Sequence, residues 1–227
     1  MTIALVPVKR LEQSKSRLLS RLPDARRQAL TLAMLEDLLD ALSRTRGLDR
    51  IAVTTPDPVV AERARAAGAE VLMRPEPGLN AALEDGRERL FAPTGGSGAV
   101  SAEDAILFVL GDVAGALPED FERLLRLAAR DREPGIWLAP SADGGTSALL
   151  QRPAGAIPCC FGRDSAKRHR EAAAAADVAY HEIELASLAI DLDQPEDLDA
   201  FLATRGGGVR TRALLENPDT PEQEEPT

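Results

Sequence analysis

The sequence predicts an α/β protein built on a mainly parallel sheet. Three observations predict it. Short apolar runs alternate with amphipathic helical segments along most of the chain. One run, "AILFVLGD", stays apolar until its last residues, as a strand covered on both faces must. The uncommon residues fall where the runs end, and in such sheets ligands bind outside the carboxyl ends of the strands.

The elements follow in order. "TIALVPV", residues 2–8, reads as a buried first strand. "DARRQALTLAMLEDLLDAL" is an amphipathic helix, because Leu35, Leu38, Leu39 and Leu42 recur at 3,1,3 steps along one face. "RIAVTT" is the second strand, and "DPVVAERARAAG" a helix stopped by Gly68. "AEVLM" is the third strand, and "LNAALEDGRERLF" a helix beginning near Asn80. "PTGGSGAVSAED" has no periodicity and reads as a loop. After the central fourth strand, "LPEDFERLLRLAAR" opens with Pro118 and two acids, which mark a helix start. "GIWLAP" is the fifth strand and "TSALLQ" a short sixth. "RDSAKRHREAAAA" is a helix, "DVAYHEIE" a strand, and "QPEDLDAFLAT" the last helix. One domain over 1–204 is expected, with 205–227 an acidic tail that is disordered or loosely docked.

Composition excludes several classes. The formal net charge is −10, which argues against general nucleic-acid binding. Five of the acids lie in the last fourteen residues (Glu216, Asp219, Glu222, Glu224, Glu225), so the body is near −5 and a basic pocket in it stands out. No apolar run reaches the length of a membrane span, and the start does not resemble a secretory signal, so a cytoplasmic protein is expected. The two cysteines, Cys159 and Cys160, are adjacent, which makes a bridge or a metal site between them poor chemistry.

Behind the first strand, "VKRLEQSKSR" gathers Lys9, Arg10, Lys15 and Arg17. Cations at a strand's carboxyl end suit a polyanion such as a triphosphate. They also suit a plain solvated loop, and Lys15 and Arg17 are both expected to be exposed. Neither a P-loop nor a dinucleotide fingerprint is present. Asp112, ending "FVLGD", is placed to hold magnesium, or to form a turn. Asp191 and Asp193 in "AIDLDQPEDL" alternate on one face; one could complete a metal site, and Asp193 could instead cap the helix at Pro195. "GLN", Gly78 to Asn80, offers backbone amides and an amide side chain to a base edge or ribose. "DGGTSAL" and "FGRDS" pair glycines with Thr146 and Ser165, which suits either a phosphate cradle or ordinary capped turns. His169 and His181 read as structural or surface residues, so no nucleophile–base pair is visible. Nucleotidyl transfer to a phosphate needs cations and metal but no general base, and fits this inventory best.

With these pieces in order, "VPVKRLEQSKSRL", "TTPDPVVAERARAAGAEVL", "GLNAAL", "PSADGGTSALL", "FGRDSAKRH" and "IDLDQPEDL", the chain resembles the phospholactate guanylyltransferase family of deazaflavin coenzyme F-420 biosynthesis over roughly residues 3–204. The resemblance implies a three-layer αβα, nucleotide-diphospho-sugar transferase-like (Rossmann-like) fold. It implies transfer of GMP from GTP to 2-phospho-L-lactate, phosphoenolpyruvate or 3-phospho-D-glycerate, with release of pyrophosphate and with Mg2+ as cofactor. By motif, Lys9, Lys15 and Arg17 would hold the GTP phosphates, and Gly78, Leu79 and Asn80 would contact guanosine with Pro7 and Thr54 nearby. Asp112 and Asp191 would bind magnesium, with Lys15, Arg17 and Asp112 at the catalytic centre. Thr146, Gly162 and Ser165 would cradle the acceptor phosphate. The family also implies a homodimer. Two departures stand out: "GDVAGALP" lacks the usual Asp-Leu-Pro, and Ser147 stands where Asn is common. The alternatives are a guanylyl- or cytidylyltransferase acting on a pterin or sugar phosphate, and a catalytically weak nucleotide-binding regulator.

Overall fold

The alternation seen in the sequence builds one seven-stranded sheet. The computed structural model describes residues 1–75, 78–92, 104–131 and 133–217. Strands β1 (Thr2–Pro7), β2 (Arg50–Thr55), β3 (Glu70–Met73), β4 (Ala105–Val109), β5 (Gly135–Pro140), β6 (Thr146–Arg152) and β7 (Ala179–Glu182) lie in the order β3-β2-β1-β4-β6-β5-β7. All pairings are parallel except those of β6, which runs against both β4 and β5. The sheet is therefore mainly parallel, with one reversed strand. A tight connection from β5 allows that reversal, because neighbouring antiparallel strands need no crossover helix.

The period of two in the strands decides the layers. Ala4 and Val6 of β1 face one core, together with Leu35, Leu38, Leu39 and Leu42 of α1 (Asp24–Arg44), Val60 of α2 (Pro58–Ala66) and Phe121 of α4 (Pro118–Arg130). Ile3 and Leu5 face the other core, with Leu83 of α3 (Leu79–Leu90) and Ala173 of α5 (Ser165–Ala175). Helices thus cover both faces, giving the expected αβα sandwich. A third cluster joins Leu30 and Met34 of α1 to Leu198 and Phe201 of α6 (Pro195–Ala203). No helix among the described residues is long and apolar enough to cross a membrane. The loop read over 93–104 lies, apart from Asp104, outside the described residues.

The tail differs from the sequence reading. Val209–Glu216 form a further helix, α7, which docks on α1 with Thr211 buried. Its N-cap is Gly208, which has no side chain to accept the first free amides. Asp37 in the middle of α1 does so instead. Its two carboxylate oxygens accept from the backbone amides of Arg210 (3.1 Å) and Thr211 (2.8 Å), from the Thr211 hydroxyl (2.8 Å) and from Arg210 Nη1 (3.2 Å). A buried acid at a helix N-terminus is also favourably placed in the helix dipole.

Two expectations follow for stability. Asp37→Ala should lower unfolding free energy by about 2–4 kcal/mol, since it orphans several buried donors at once. A chain cut after residue 208 should melt well below one cut after residue 217. Equal denaturation midpoints for the two truncations would show that α7 adds nothing to the fold.

Candidate active site

Strand order fixes where a ligand can lie. From β1 the chain builds outward to β2 and β3, then returns to place β4 on the other side of β1. The crevice at such a reversal opens at the carboxyl ends of β1 and β4. A cleft of about 280 Å³ sits there. Pro7, Lys9, Lys15, Thr54, Gly78, Leu79 and Asp112 line it, so most of the nucleotide-side residues predicted from sequence converge. Arg17, Asn80, Thr146, Gly162, Ser165 and Asp191 stand outside its lining.

The basic loop is clamped at both ends. Asp57 caps α2 through Oδ1, accepting from Val59 N at 2.9 Å, while its Oδ2 accepts from Leu11 N at 3.0 Å. Buried Arg27 of α1 donates from Nη1 to the carbonyl of Ser14 at 2.5 Å. The next residue, Lys15, takes a left-handed backbone (φ 53°, ψ 37°). Its ammonium reaches Asp112 Oδ2 at 3.3 Å and Asp193 Oδ1 at 3.9 Å. Lys15 is 7% exposed, which corrects the expectation of a free surface lysine; its partners draw it inward. Arg17 is exposed as expected and pairs with Asp193.

Asp193 therefore does not cap α6. Gln194 is the N-cap, and Asp197 accepts from the amides of Asp193 and Gln194. Asp191 is pushed up to about 6, first by burial and then by the charges of Asp112 and Asp143. Asp143, which the sequence reading did not single out, is held below the usual carboxylate range, chiefly by the hydroxyl of Ser141. Asp112 Oδ1 is buried and has no hydrogen-bond partner. Among the described residues no three acid, His or Cys side chains converge to hold a metal unaided. Asp112 and Asp191 nonetheless fit a magnesium ion whose other ligands are phosphates and water, the usual composition of such sites. The orphaned oxygen and the mutual repulsion are both what a bound dication would relieve.

On the side that the sequence reading gives to the nucleotide, Gly78 has φ 94°, a backbone that favours glycine, and a Cβ there would point into open space. Leu79 is partly exposed beside it. Thr54 is buried with an unpartnered hydroxyl. Asn80 is used differently from the base-reading expectation. Its amide donates to Phe161 O (3.1 Å) and accepts from Phe161 N (2.8 Å), fastening the start of α3 to the loop before α5.

Thr146 and Ser165 do come together. The Ser165 hydroxyl donates to Thr146 Oγ1 at 3.0 Å, and His169 Nδ1 lies 3.2 Å from the same oxygen. All three are buried. His169 Nε2 accepts from Cys160 N at 2.9 Å, so the proton sits on Nδ1 and is donated to Thr146. Burial holds His169 down at about 4, and it stays neutral near pH 7. Gly162, at φ 114°, precedes α5. Backbone bonds tie this corner to the acids, since Ala166 N donates to Gly144 O and Ala142 N to Ala189 O.

The guanylyl transferase CofC-like family matches residues 2–218. A phosphoenolpyruvate guanylyltransferase of Rubrobacter xylanophilus is 43% identical over 92% of this chain and 96% of its own. A 3-phospho-D-glycerate guanylyltransferase of Phenylobacterium zucineum is 37% identical over 95% of each chain. A crystal structure from Desulfovibrio desulfuricans, described as a nucleotide-diphospho-sugar transferase, superposes with TM-score 0.74 at 18% identity, covering 96% of this chain and 95% of that one. At that identity the likeness shows the fold.

The raised Asp191 gives a pH signature. A carboxyl whose folded value lies above its unfolded value of about 3.9 favours folding below that value, and the gain is lost as pH rises through about 6. Without nucleotide or divalent cation, Asp191→Asn should therefore melt higher than the parent at pH 8, and the difference should shrink toward pH 4. A difference independent of pH would show that burial and neighbouring charge do not raise the Asp191 carboxyl.

Proposed function

The chain belongs to the guanylyl transferase CofC-like family, and on that premise we propose that it transfers the guanylyl group of GTP to the phosphate of a small phosphorylated three-carbon acid. Phosphoenolpyruvate, 3-phospho-D-glycerate and 2-phospho-L-lactate are the candidate acceptors, and the reaction would serve deazaflavin coenzyme F-420 biosynthesis. The observation that carries this reading is the pairing of Lys15 with Asp112 at 3.3 Å across the exits of β1 and β4, beside an Asp112 oxygen left without a partner.

In the proposed reaction an oxygen of the acceptor phosphate forms a bond to the α-phosphorus of GTP. The bond from that phosphorus to the α–β bridging oxygen breaks, and pyrophosphate leaves with the electron pair. Lys9, Lys15 and Arg17 hold the β- and γ-phosphates and offset the charge that builds on the leaving group. The guanosine lies against Pro7, Thr54, Gly78 and Leu79. The acceptor phosphate is held near Gly162 and the start of α5, a corner braced by the buried, mutually bonded hydroxyls of Thr146 and Ser165. Asp112 and Asp191 would hold Mg2+, which when bound supplies charge neutralisation between phosphate oxygens.

No side chain needs to take a proton. A phosphate monoester is largely doubly ionised near neutral pH, because its second pKa is about 6. This agrees with the site. His169 is buried with both ring nitrogens engaged. His181 stacks on Trp137 at 5.4 Å and is not part of the cleft lining. Positioning and charge neutralisation then account for the rate.

Pyrophosphate release from GTP, assayed with each of the three acids, tests the reaction directly. Release with none of them would refute it. Asp112→Asn should abolish most turnover across a magnesium titration while the fold persists, since a neutral amide is a poor ligand for a hard cation. Arg17→Ala should weaken GTP binding by about tenfold and change stability by less than about 0.5 kcal/mol. Ser165→Ala should reduce efficiency with every acid by a similar factor; a switch of preference among acids would mean that Ser165 reads the carbon skeleton and not the phosphate.

A further inference from the structure

Arg27 lies on α1, outside the lining of the cleft, and its side chain is 5% exposed. Burying a guanidinium is costly, and an apolar side chain of similar length would fill the space without that cost. What an apolar side chain cannot do is hold a carbonyl. Arg27 Nη1 donates to Ser14 O at 2.5 Å, and Nη2 to Asp24 Oδ1 at 2.7 Å. The pinned carbonyl belongs to the peptide that leads into Lys15. Lys15 in turn holds a left-handed conformation that is unfavourable for a non-glycine residue and that persists only where surroundings impose it. A tilt of this one peptide plane would swing the Lys15 ammonium away from Asp112.

We propose that Arg27 is a positioning residue for Lys15: by fixing the Ser14 carbonyl it sets the backbone that aims the ammonium into the phosphate end of the cleft. Asp24 is 75% exposed and orients the other fork of the guanidinium. The inference rests on the reading of Lys15 as a cation that holds GTP phosphates. Arg27 lies outside the cleft lining, so on this proposal its effect on GTP passes through Lys15.

The test is a double-mutant cycle with GTP as the probe, using Arg27→Gln, Arg27→Lys and Lys15→Ala, singly and combined, at a temperature far below every melting point. Binding is read by calorimetry and kcat/KM by pyrophosphate release. Arg27→Gln should lower kcat/KM for GTP by up to about 100-fold, the loss expected of a displacement near 1 Å. Arg27→Lys, which keeps the charge and one donor to the carbonyl, should fall between Arg27→Gln and the parent, and carries the test if Arg27→Gln does not fold. In the Lys15→Ala background the Arg27 substitutions should add less than twofold, while their effect on Tm persists. A fall in Tm with unchanged GTP parameters, or effects that multiply fully with Lys15→Ala, would overturn the inference and leave the reading of Lys15 standing. If Lys15→Ala itself leaves GTP binding and turnover unchanged, the reading of Lys15 fails and the inference with it.

Discussion

Repulsion among carboxylates is the constraint around which this end of the sheet is organised. Asp112, Asp143 and Asp191 come from three separate segments, yet lie close enough that two of them raise the proton affinity of the third. Each acid is restrained by a different device. Asp143 is locked by Ser141 and the Gly145 amide. Asp112 meets Lys15, and Asp193 meets Lys15 and Arg17. Among the described residues Asp191 makes no ion pair, and burial and its acidic neighbours displace its pKa upward. Such clusters persist where charge must be met by a ligand, which is why displaced values gather at functional sites.

The segment that carries Asp112 depends on the end of the chain. Gly207 and Gly208 lie against its backbone so closely that a Cβ would come within 2.5 Å of Ala116 O and 2.7 Å of Ala114 O respectively. The "VAGA" that follows Asp112 thus has a local counterpart in "GGG", small residues against small residues. Helix α7 then anchors that strap through Asp37, and Arg212 reinforces it by donating to Gly207 O and stacking 4.2 Å over Phe201.

Sequence periodicity carried the sheet and most helices because burial there is regular. Leu35, Leu38, Leu39 and Leu42 are all buried, as their spacing demands. The turns at strand ends were legible because Gly, Pro and acids punctuate them. What escaped depends on partners far along the chain. Asp37 looks like a solvated acid until Thr211, 174 residues on, is known to bind it. Helix α7 buries only Thr211 among its own residues, so no apolar stripe announces it. Asn80 and Phe161 are 81 residues apart, and an amide reading a base looks the same in sequence as one reading a backbone. Arg27 was one of two adjacent arginines in the first turn of a helix, with nothing in sequence to tell which is buried. The direction of β6 was likewise hidden, because a buried strand reads the same both ways.

Charge arithmetic sets the final condition on how the cleft can work. Asp112, Asp143, Asp191 and Asp193 stand against Lys9, Lys15, Arg17 and Arg74; Lys15 and Arg17 are already paired with acids of the cluster, and Arg74 with Asp85. A triphosphate entering this arrangement alone would meet no surplus of positive charge. An added dication between Asp112, Asp191 and the phosphates would reverse the sign of the local field, since a bound ion is often the largest charge in such a site. Ionised Asp191 and bound nucleotide each favour that ion, so by linkage the ion favours both. The acids that crowd this end of the sheet are therefore the same groups that, on the proposed reading, would make nucleotide binding conditional on a cation.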